Sequence, residues 1–328
     1  MYETILMPTD GSSHSRRAAD HALTLGRAFD ATVRAVSVVD VQGAAGVFGA
    51  GGVGSEFRDQ LTDEANAALD AVRERADDAD LETAVLDGDP ATAILDDAVD
   101  CDADLVVMGT HGRTGIHRYV AGSVTEQVVR RAPVPVLTAH AYDDDDGPAP
   151  EPGRFDRVLL PTDRSPAAEA SVPHAIAFAE IADAEVNVLN VVDVSNTTGG
   201  ATVAVDPSDE FHEAGEAATE RIADRVREAG LSATTTVVDG FPARDVLSYA
   251  DDNPVDLIVM GTHGRTGVSR FLLGSTTERA IRHADAPVLA VNTREEAEET
   301  ADDETVTGRE RGDETIPGET GVADRDDS

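Results

Sequence analysis

The same eight residues, MGTHGRTG, occur twice in the chain, at residues 108–115 and, 152 positions later, at residues 260–267. Each segment combines closely spaced glycines with one histidine and one arginine. Glycine accepts positive φ and permits a close approach to its backbone, so the amide N–H groups of such a loop can face a phosphate. The arginine adds a cation that pairs well with phosphate oxygens. These residue types predict a phosphate-binding loop in each half of the chain.

Each loop leads to a Gly-Ser pair at the start of a predicted helix. Glycines are spaced as Gly, two residues, Gly, nine residues and Gly-Ser, at Gly109, Gly112 and Gly122-Ser123 and again at Gly261, Gly264 and Gly274-Ser275. The start of a helix offers unpaired N–H groups and the positive end of its dipole, which favour an anion.

A structural interpretation of the same residues stays open. The Ser-x-x-Glu pattern at Ser123 and Glu126 is also typical of a capping box, and the glycines could serve only a tight turn. His111 and His263 could contact a ligand or stabilise their loops by hydrogen bonds. The retention of eight identical residues in both copies favours a ligand, because a mere turn tolerates substitution.

The repeat extends well beyond these loops and indicates duplication of a whole domain. MPTDGS at residues 7–12 matches LPTDRS at residues 160–165, and LDGDP at 86–90 matches VDGFP at 238–242. We expect a first domain over residues 1–140 (copy one), an acidic Pro/Gly linker over 141–154, a second domain over 155–292 (copy two), and an acidic disordered tail over 293–328.

Within each copy, strand patterns alternate with helix patterns. In copy one the pattern predicts strands at 4–8, 32–39, 81–86, 104–109 and 133–139, and helices at 13–29, 56–76, 90–100 and 123–131. Five strands joined by helices imply a parallel, doubly wound α/β sheet with right-handed crossovers. Ligands of such sheets bind beyond the carboxyl ends of the strands, where the strand order reverses. The loop after the first strand and the loop after the fourth would then face one crevice.

Composition excludes several kinds of chemistry and partner. The 64 acidic residues outnumber 26 basic ones, all of them arginine, and the net charge is -38. Without lysine there is no Walker A loop and no pyridoxal Schiff base, and the single Cys101 excludes an internal disulfide or a multi-cysteine metal site. The charge argues against nucleic acid and anionic membranes as partners. With no signal-like or membrane-spanning segment in the sequence, we expect a cytoplasmic protein.

The glycine spacing, together with PTD after the first strand, resembles the universal stress protein family (UspA-like) in its ATP-binding subgroup and in tandem form. The acidic, lysine-free composition resembles that of proteins from halophilic archaea. The resemblance implies sheets ordered 3-2-1-4-5, of the HUP or adenine nucleotide alpha hydrolase-like type. It also implies ATP, or AMP or ADP, bound across strands one and four with Mg²⁺ or Mn²⁺ on the phosphates.

The same resemblance implies a set of nucleotide-binding residues and no catalytic residue. The first loop and the second strand would border adenosine, and the glycine loop and helix start would hold ribose and phosphates. In copy one this set is Pro8, Thr9, Asp10, Val38, Met108, Gly109, His111, Gly112, Arg113, Gly122, Ser123, Val124 and Thr125. In copy two it is Pro161, Thr162, Asp163, Val191, Met260, Gly261, His263, Gly264, Arg265, Gly274, Ser275, Thr276 and Thr277. Copy two departs at Arg164, where copy one has Gly11.

The expected function is nucleotide binding in stress response or signalling, through nucleotide-dependent conformation or partner binding. Two alternatives stay open: a slow ATPase or phosphotransferase, and a nucleotide-independent interaction module. The last strand of each copy is apolar and would lie at a sheet edge, where such strands invite pairing. By resemblance, we expect the two copies to form an internal pseudo-dimer, which could also form a homodimer.

Overall fold

The computed structural model describes residues 1–45, 55–111, 122–141, 151–194, 207–264 and 273–292. Copy one contains β1 (Thr4–Pro8), α1 (Ser13–Phe29), β2 (Thr32–Val39), α2 (Val41–Ala45), α3 (Ser55–Arg73), β3 (Leu81–Asp87), α4 (Pro90–Asp100), β4 (Leu105–Gly109), α5 (Ser123–Arg131) and β5 (Val136–Ala139). Copy two contains β6 (Arg157–Pro161), α6 (Pro166–Glu180), β7 (Glu185–Asp193), α7 (Pro207–Glu228), β8 (Ala233–Gly240), α8 (Pro242–Asp252), β9 (Leu257–Gly261), α9 (Ser275–His283) and β10 (Val288–Val291).

The strands form one sheet of ten, in the order β3-β2-β1-β4-β5-β10-β9-β6-β7-β8. All neighbours within a copy are parallel, and each copy has the predicted order 3-2-1-4-5. The two half-sheets meet where β5 and β10 pair in antiparallel fashion, with Leu137 opposite Leu289. In each copy the order reverses between strands one and four, and the carboxyl ends at such a point are where ligands of parallel sheets bind.

Helices cover both faces of the sheet, and the central strands are therefore buried on both sides. The face under α1, α3, α6 and α7 packs side chains such as Leu25, Leu69, Phe178 and Ile222 into a core that runs through both copies. The opposite face, under α4, α5, α8 and α9, packs Ile94, Val128 and Ile281 among others. Central strands such as β4 and β9 are almost continuously buried, as expected for a covered parallel sheet.

Polar contacts reinforce the junction between the copies. The side-chain amide of Asn292 donates to the carbonyl oxygens of Val129 and Ala132 at 3.1 and 2.8 Å, at the end of α5. On the other face, the Tyr2 hydroxyl lies 2.6 Å from Nδ1 of His174. The copies are therefore held together by the β5–β10 ladder, a shared apolar core and these side chains.

The predicted elements agree closely with the observed ones, and the differences have local causes. The helices at 13–29, 90–100 and 123–131 begin and end as predicted, whereas β5 begins at Val136 instead of residue 133. Pro133 and Pro135 have no N–H to contribute to a ladder, which explains the shorter strand. None of the described helices combines the length and hydropathy needed to cross a bilayer.

Candidate functional site

A cavity of about 650 Å³ lies in copy two, beyond the carboxyl ends of β6 and β9. This is where the strand order reverses, and the volume falls within the range of roughly 300–1,000 Å³ that is usual for small-molecule sites. Its walls come from the loop after β6, the end of β7, the loop after β9 and the first turns of α8 and α9. The cavity is thus formed by loops that the sheet brings together from distant parts of the chain.

Every described residue of the predicted copy-two set lines this cavity. These residues are Pro161, Thr162, Asp163, Val191, Met260, Gly261, His263, Gly264, Gly274, Ser275, Thr276 and Thr277. Three further predicted residues, Gly112, Arg113 and Arg265, lie outside the described residues, as do residues 142–150 of the linker and the tail from residue 293. The two predicted loops therefore do share one crevice in copy two.

The loop after the first strand is fixed by its own side chains. In copy two the Ser165 amide donates to Oδ1 of Asp163 at 3.0 Å, and the Arg164 amide donates to the Thr162 hydroxyl at 3.2 Å. Ser165 also caps α6, its hydroxyl accepting from the Ala168 amide at 3.1 Å. These bonds hold the Asp163 carboxylate at the edge of the cavity.

Copy one repeats this loop almost bond for bond. Ser12 donates through its amide to Asp10 at 3.0 Å, and Gly11 donates to the Thr9 hydroxyl at 3.2 Å. The positive φ is also shared: Gly11 has φ 76° and Arg164 has φ 69°. The arginine in copy two therefore keeps the loop's backbone path and changes only the side chain at the cavity wall.

The start of α9 differs from a capping box, and so does that of α5. Both helices begin at the serine, and the N-cap is Gly122 in one and Gly274 in the other, with no side-chain cap hydrogen bond. The capping-box interpretation of Ser123 and Glu126 is therefore wrong, because the serine is already the first helical residue. Within the part of the chain that the structure describes, no side chain caps the first-turn amide groups, which makes them suited to an anion.

A threonine in the first turn ties each helix to the strand before it. The Thr125 hydroxyl donates to the carbonyl oxygen of Gly109 at 2.8 Å, and the Thr277 hydroxyl donates to that of Gly261 at 2.7 Å. Gly274 adds a backbone bond to Thr262 at 2.8 Å. The amide-rich helix start is thereby fixed against the end of the fourth strand.

Two of the glycines that the sequence predicts to admit a ligand instead serve helix packing. A Cβ on Gly261 would lie 2.6 Å from the backbone carbon of Ala167, and a Cβ on Gly109 would lie 2.7 Å from that of His14. These glycines therefore let the fourth strand pack against the first helix. Gly264 differs, because a Cβ there would meet the Asp163 carboxylate at 2.8 Å, on the cavity side.

In copy one three imidazole rings gather beside the equivalent crevice. The ring centroid of His14 lies 4.9 Å from that of His111 and 6.4 Å from that of His140, and the last two lie 6.2 Å apart. Burial lowers the pKa of His140 to about 4, with smaller effects from the other two rings and His283. Among the described residues, no three His, Cys, Asp or Glu side chains are grouped as ligands for a metal ion.

Two phenylalanines outside the predicted set line the copy-two cavity. Phe211 lies on α7 and Phe241 at the N-cap of α8, and both rings are partly exposed. A signal was present in the repeat itself, since VDGFP in copy two matches LDGDP in copy one and replaces Asp89 by Phe241.

Both copies are similar to known proteins. The model of the universal stress protein family matches residues 1–140 and again residues 154–292. Universal stress protein MJ0531 of Methanocaldococcus jannaschii is 41% identical over 141 residues, which cover 42% of this chain and 82% of that protein. Universal stress protein MJ0577 of the same organism is 29% identical over 153 residues, covering 42% of this chain and 94% of that protein.

Solved structures agree with the fold. The crystal structure of a universal stress protein from Archaeoglobus fulgidus superimposes with a TM-score of 0.65 at 21% identity, covering 88% of this chain and 96% of that one. At this identity the likeness supports the two-domain fold alone. Since the family model matches both copies and a relative of 41% identity is covered over most of its length, the chain belongs to the universal stress protein family.

Proposed function

We propose that the protein binds an adenine nucleotide in the crevice of each copy and acts in stress response or signalling through nucleotide-dependent conformation or partner binding. The observation that supports this most is the copy-two cavity. It brings an apolar wall at Val191 and Met260 together with the uncapped first turn of α9. An apolar wall suits a purine ring, and free helical amides suit phosphates.

The charge of the cavity fits a nucleotide that carries its own metal ion. Asp163 and Asp193 line the walls, so a bare triphosphate would be repelled, whereas Arg164 attracts it. Mg²⁺ usually keeps several waters and binds one or two carboxylates together with substrate phosphates. Asp163 fits that role, and Mg²⁺ or Mn²⁺ would neutralise the phosphates there. In the predicted set, Arg113 and Arg265 would add a cation to each loop.

Two alternatives predict different outcomes. A slow ATPase or phosphotransferase would release phosphate over many turnovers and lose that activity when Ser123 or Ser275 is replaced. An interaction module without nucleotide would bind no ATP and keep its cellular function when the cavity is filled. We favour binding without efficient catalysis, since the described part of the site combines helical amides with carboxylates that suit a metal ion bound to the phosphates.

The paired copies and the composition support two further parts of the proposal. Because β5 and β10 already pair within the chain, we propose that the two copies act as an internal pseudo-dimer, which can also associate into a homodimer. The charge of -38 without lysine supports a cytoplasm rich in salt as the site of action, as in halophilic archaea.

Titration with a fluorescent ATP analogue in concentrated KCl, with and without Mg²⁺, tests the binding. We expect saturable binding that unlabelled ATP displaces and that weakens about tenfold without Mg²⁺. Asp163→Asn keeps an oxygen for the Ser165 amide but removes the charge, so it should reduce the Mg²⁺ effect at copy two. Asp10→Asn is the matched variant for copy one. Absence of binding at millimolar nucleotide would contradict the proposal.

A further inference from the structure

Two aromatic rings border the copy-two cavity where they are open to solvent. Phe241 is 48% exposed and Phe211 is 39% exposed, and both line the cavity. By contrast, Tyr2, Phe155 and Phe178 in the described core are fully buried. Leaving a phenyl ring in water is unfavourable, so two such rings at one cavity point to an apolar ligand group that covers them.

Phe241 stands where copy one has a helix cap. In copy one the Asp89 carboxylate caps α4, accepting from the amide of Thr92 at 3.0 Å and from its hydroxyl at 2.9 Å. In copy two the N-cap of α8 is Phe241, which makes no side-chain cap bond. Copy two therefore gives up a favourable cap and places an aromatic ring at the cavity instead.

The surroundings of Phe241 hold its ring in place. The guanidinium carbon of Arg244 lies 5.0 Å from the ring centroid, within the range of a cation–π contact. Asp245 orients that guanidinium by accepting from its Nε at 2.7 Å and from a terminal nitrogen at 3.0 Å. Asp245 also accepts from the Phe241 amide at 2.5 Å, so one carboxylate fixes both the backbone and the group over the ring.

We propose that Phe241, with Phe211, stacks against the purine base of a nucleotide bound in copy two and makes this site the tighter of the two. The inference rests on the proposed nucleotide binding and adds the residues that recognise the base. A ring held by Arg244 loses little freedom when a base stacks on it, and every base presents a π-face to such a platform. Asp89 offers no π-face, so copy one has no stacking platform at the position that corresponds to Phe241.

The concave shape of the surface favours a small planar ligand over a protein partner. Both phenylalanines share one cavity with Val191, Met260 and the start of α9, so a base on the rings belongs to the same ligand as phosphates at the helix. A flat apolar patch for a protein would lie outside that cavity.

A tryptophan reporter tests the stacking directly, because the chain contains no tryptophan. In Phe241→Trp, saturating ATP should quench the indole fluorescence, whereas inorganic tripolyphosphate, which has no base, should not. Affinity for ATP should decrease in the order Trp, Phe, Leu, Ala at position 241, with a loss of about tenfold or more for Phe241→Ala. Tripolyphosphate affinity should stay the same throughout. Asp89→Asn, which keeps a capping side chain, should leave ATP affinity at copy two unchanged.

The outcomes separate this inference from the proposed function. If the wild-type chain binds ATP and Phe241→Ala binds it equally well, stacking at Phe241 is overturned while nucleotide binding stands. If Phe241→Ala weakens tripolyphosphate as much as ATP, the residue acts on the shape of the site and the stacking role is again overturned. If neither compound binds the wild-type chain, the proposed function itself fails.

Discussion

At the level of single residues, the glycines and polar side chains repeated in the two loops serve either packing or binding. Gly261 lies against the backbone of α6, so it serves the fold whether or not a ligand is present. Asp163, held by the Ser165 amide, faces the cavity and serves binding. The repeated loop pattern therefore meets a packing requirement and a binding requirement. Substitutions at its positions should reduce either stability or ligand affinity, depending on the position.

Gly261→Ala should destabilise the fold. The new methyl group would lie 2.6 Å from the Ala167 backbone, which cannot move away as a flexible side chain can. We expect a loss of about 1–3 kcal/mol in the free energy of unfolding, measured by urea denaturation in concentrated KCl. Gly264→Ala is the control, because its Cβ meets only the far end of the Asp163 side chain. Equal, small losses in both variants would contradict the packing role of Gly261.

Buried histidines should make stability depend on pH. Burial lowers the pKa of His174 to about 4, below its ordinary value of 6.5. As pH falls below 6.5, His174 is protonated in the unfolded chain but stays neutral in the folded chain. Stability is therefore lost between pH 6.5 and about 4. His174→Asn should reduce the slope of unfolding free energy against pH in this window by up to about 1.4 kcal/mol per pH unit. An unchanged slope would show that this imidazole is not held neutral.

At the scale of elements, a tertiary bond decides where the candidate phosphate-binding helices begin. The hydroxyl of Thr277 reaches back to the last carbonyl of β9, and Gly274 rather than a side chain occupies the cap. Thr125 makes the same contact with β4 in copy one. The helix start is thus held at the strand end while its amide groups stay available for a ligand.

Thr277→Val should loosen this arrangement. The valine has nearly the same shape but no hydroxyl, so the Gly261 carbonyl loses its side-chain donor, and we expect about 1–3 kcal/mol less stability and weaker ATP binding. Thermal unfolding and nucleotide titration of the same variant measure both effects. Thr277→Ser restores the hydroxyl and should recover most of each. If the valine variant binds and melts like the wild-type chain, the bond to Gly261 does not position α9.

The elements were predictable from sequence where the signal is local. Asp89 and Pro90 mark the start of α4, and β4 reads as a continuous apolar run, so both were placed within one residue. The start of α5 has the predicted boundary, and of the two interpretations of its serine left open by the sequence, the capping box is wrong. Ser-x-x-Glu is the local signature of a capping box, whereas the contact that replaces it, from Thr125 to Gly109, joins two elements.

Residues of the candidate site were predictable where the two copies agree. Thr162, Asp163 and Gly274 repeat their copy-one counterparts and were found by the repeat and the family resemblance. Phe241 was missed because it differs from its counterpart, Asp89, and because its role depends on the cavity that α8 shares with α9. A repeat reveals only the residues that the two copies share. A site residue that occurs in one copy alone can be recognised only from the folded structure.

At the scale of the whole molecule, one sheet and one apolar core connect the copies while a large negative charge opposes compaction. The core under α1 and α6 contains side chains of both copies, and β10 pairs with β5. The chain carries a net charge of -38, so self-repulsion must be screened for this arrangement to be stable.

Stability should therefore rise steeply with salt. The Debye length falls from about 10 Å at 0.1 M to about 3 Å at 1 M, so repulsion between surface carboxylates is largely removed. We expect the melting temperature to increase by about 10 °C or more over this range of KCl, followed by scanning calorimetry. Sucrose at the same water activity, which does not screen charge, should raise it less. Equal effects of KCl and sucrose would contradict a role for screening.

A crystal structure of the full chain grown with ATP and Mg²⁺ would show whether the crevices hold an adenine nucleotide. We expect the purine between Val191 and Phe241 and the phosphates at the first turn of α9, within hydrogen-bond distance of its amide groups. A structure at saturating nucleotide in which the protein's own side chains fill this cavity, with no nucleotide in either copy, would contradict it.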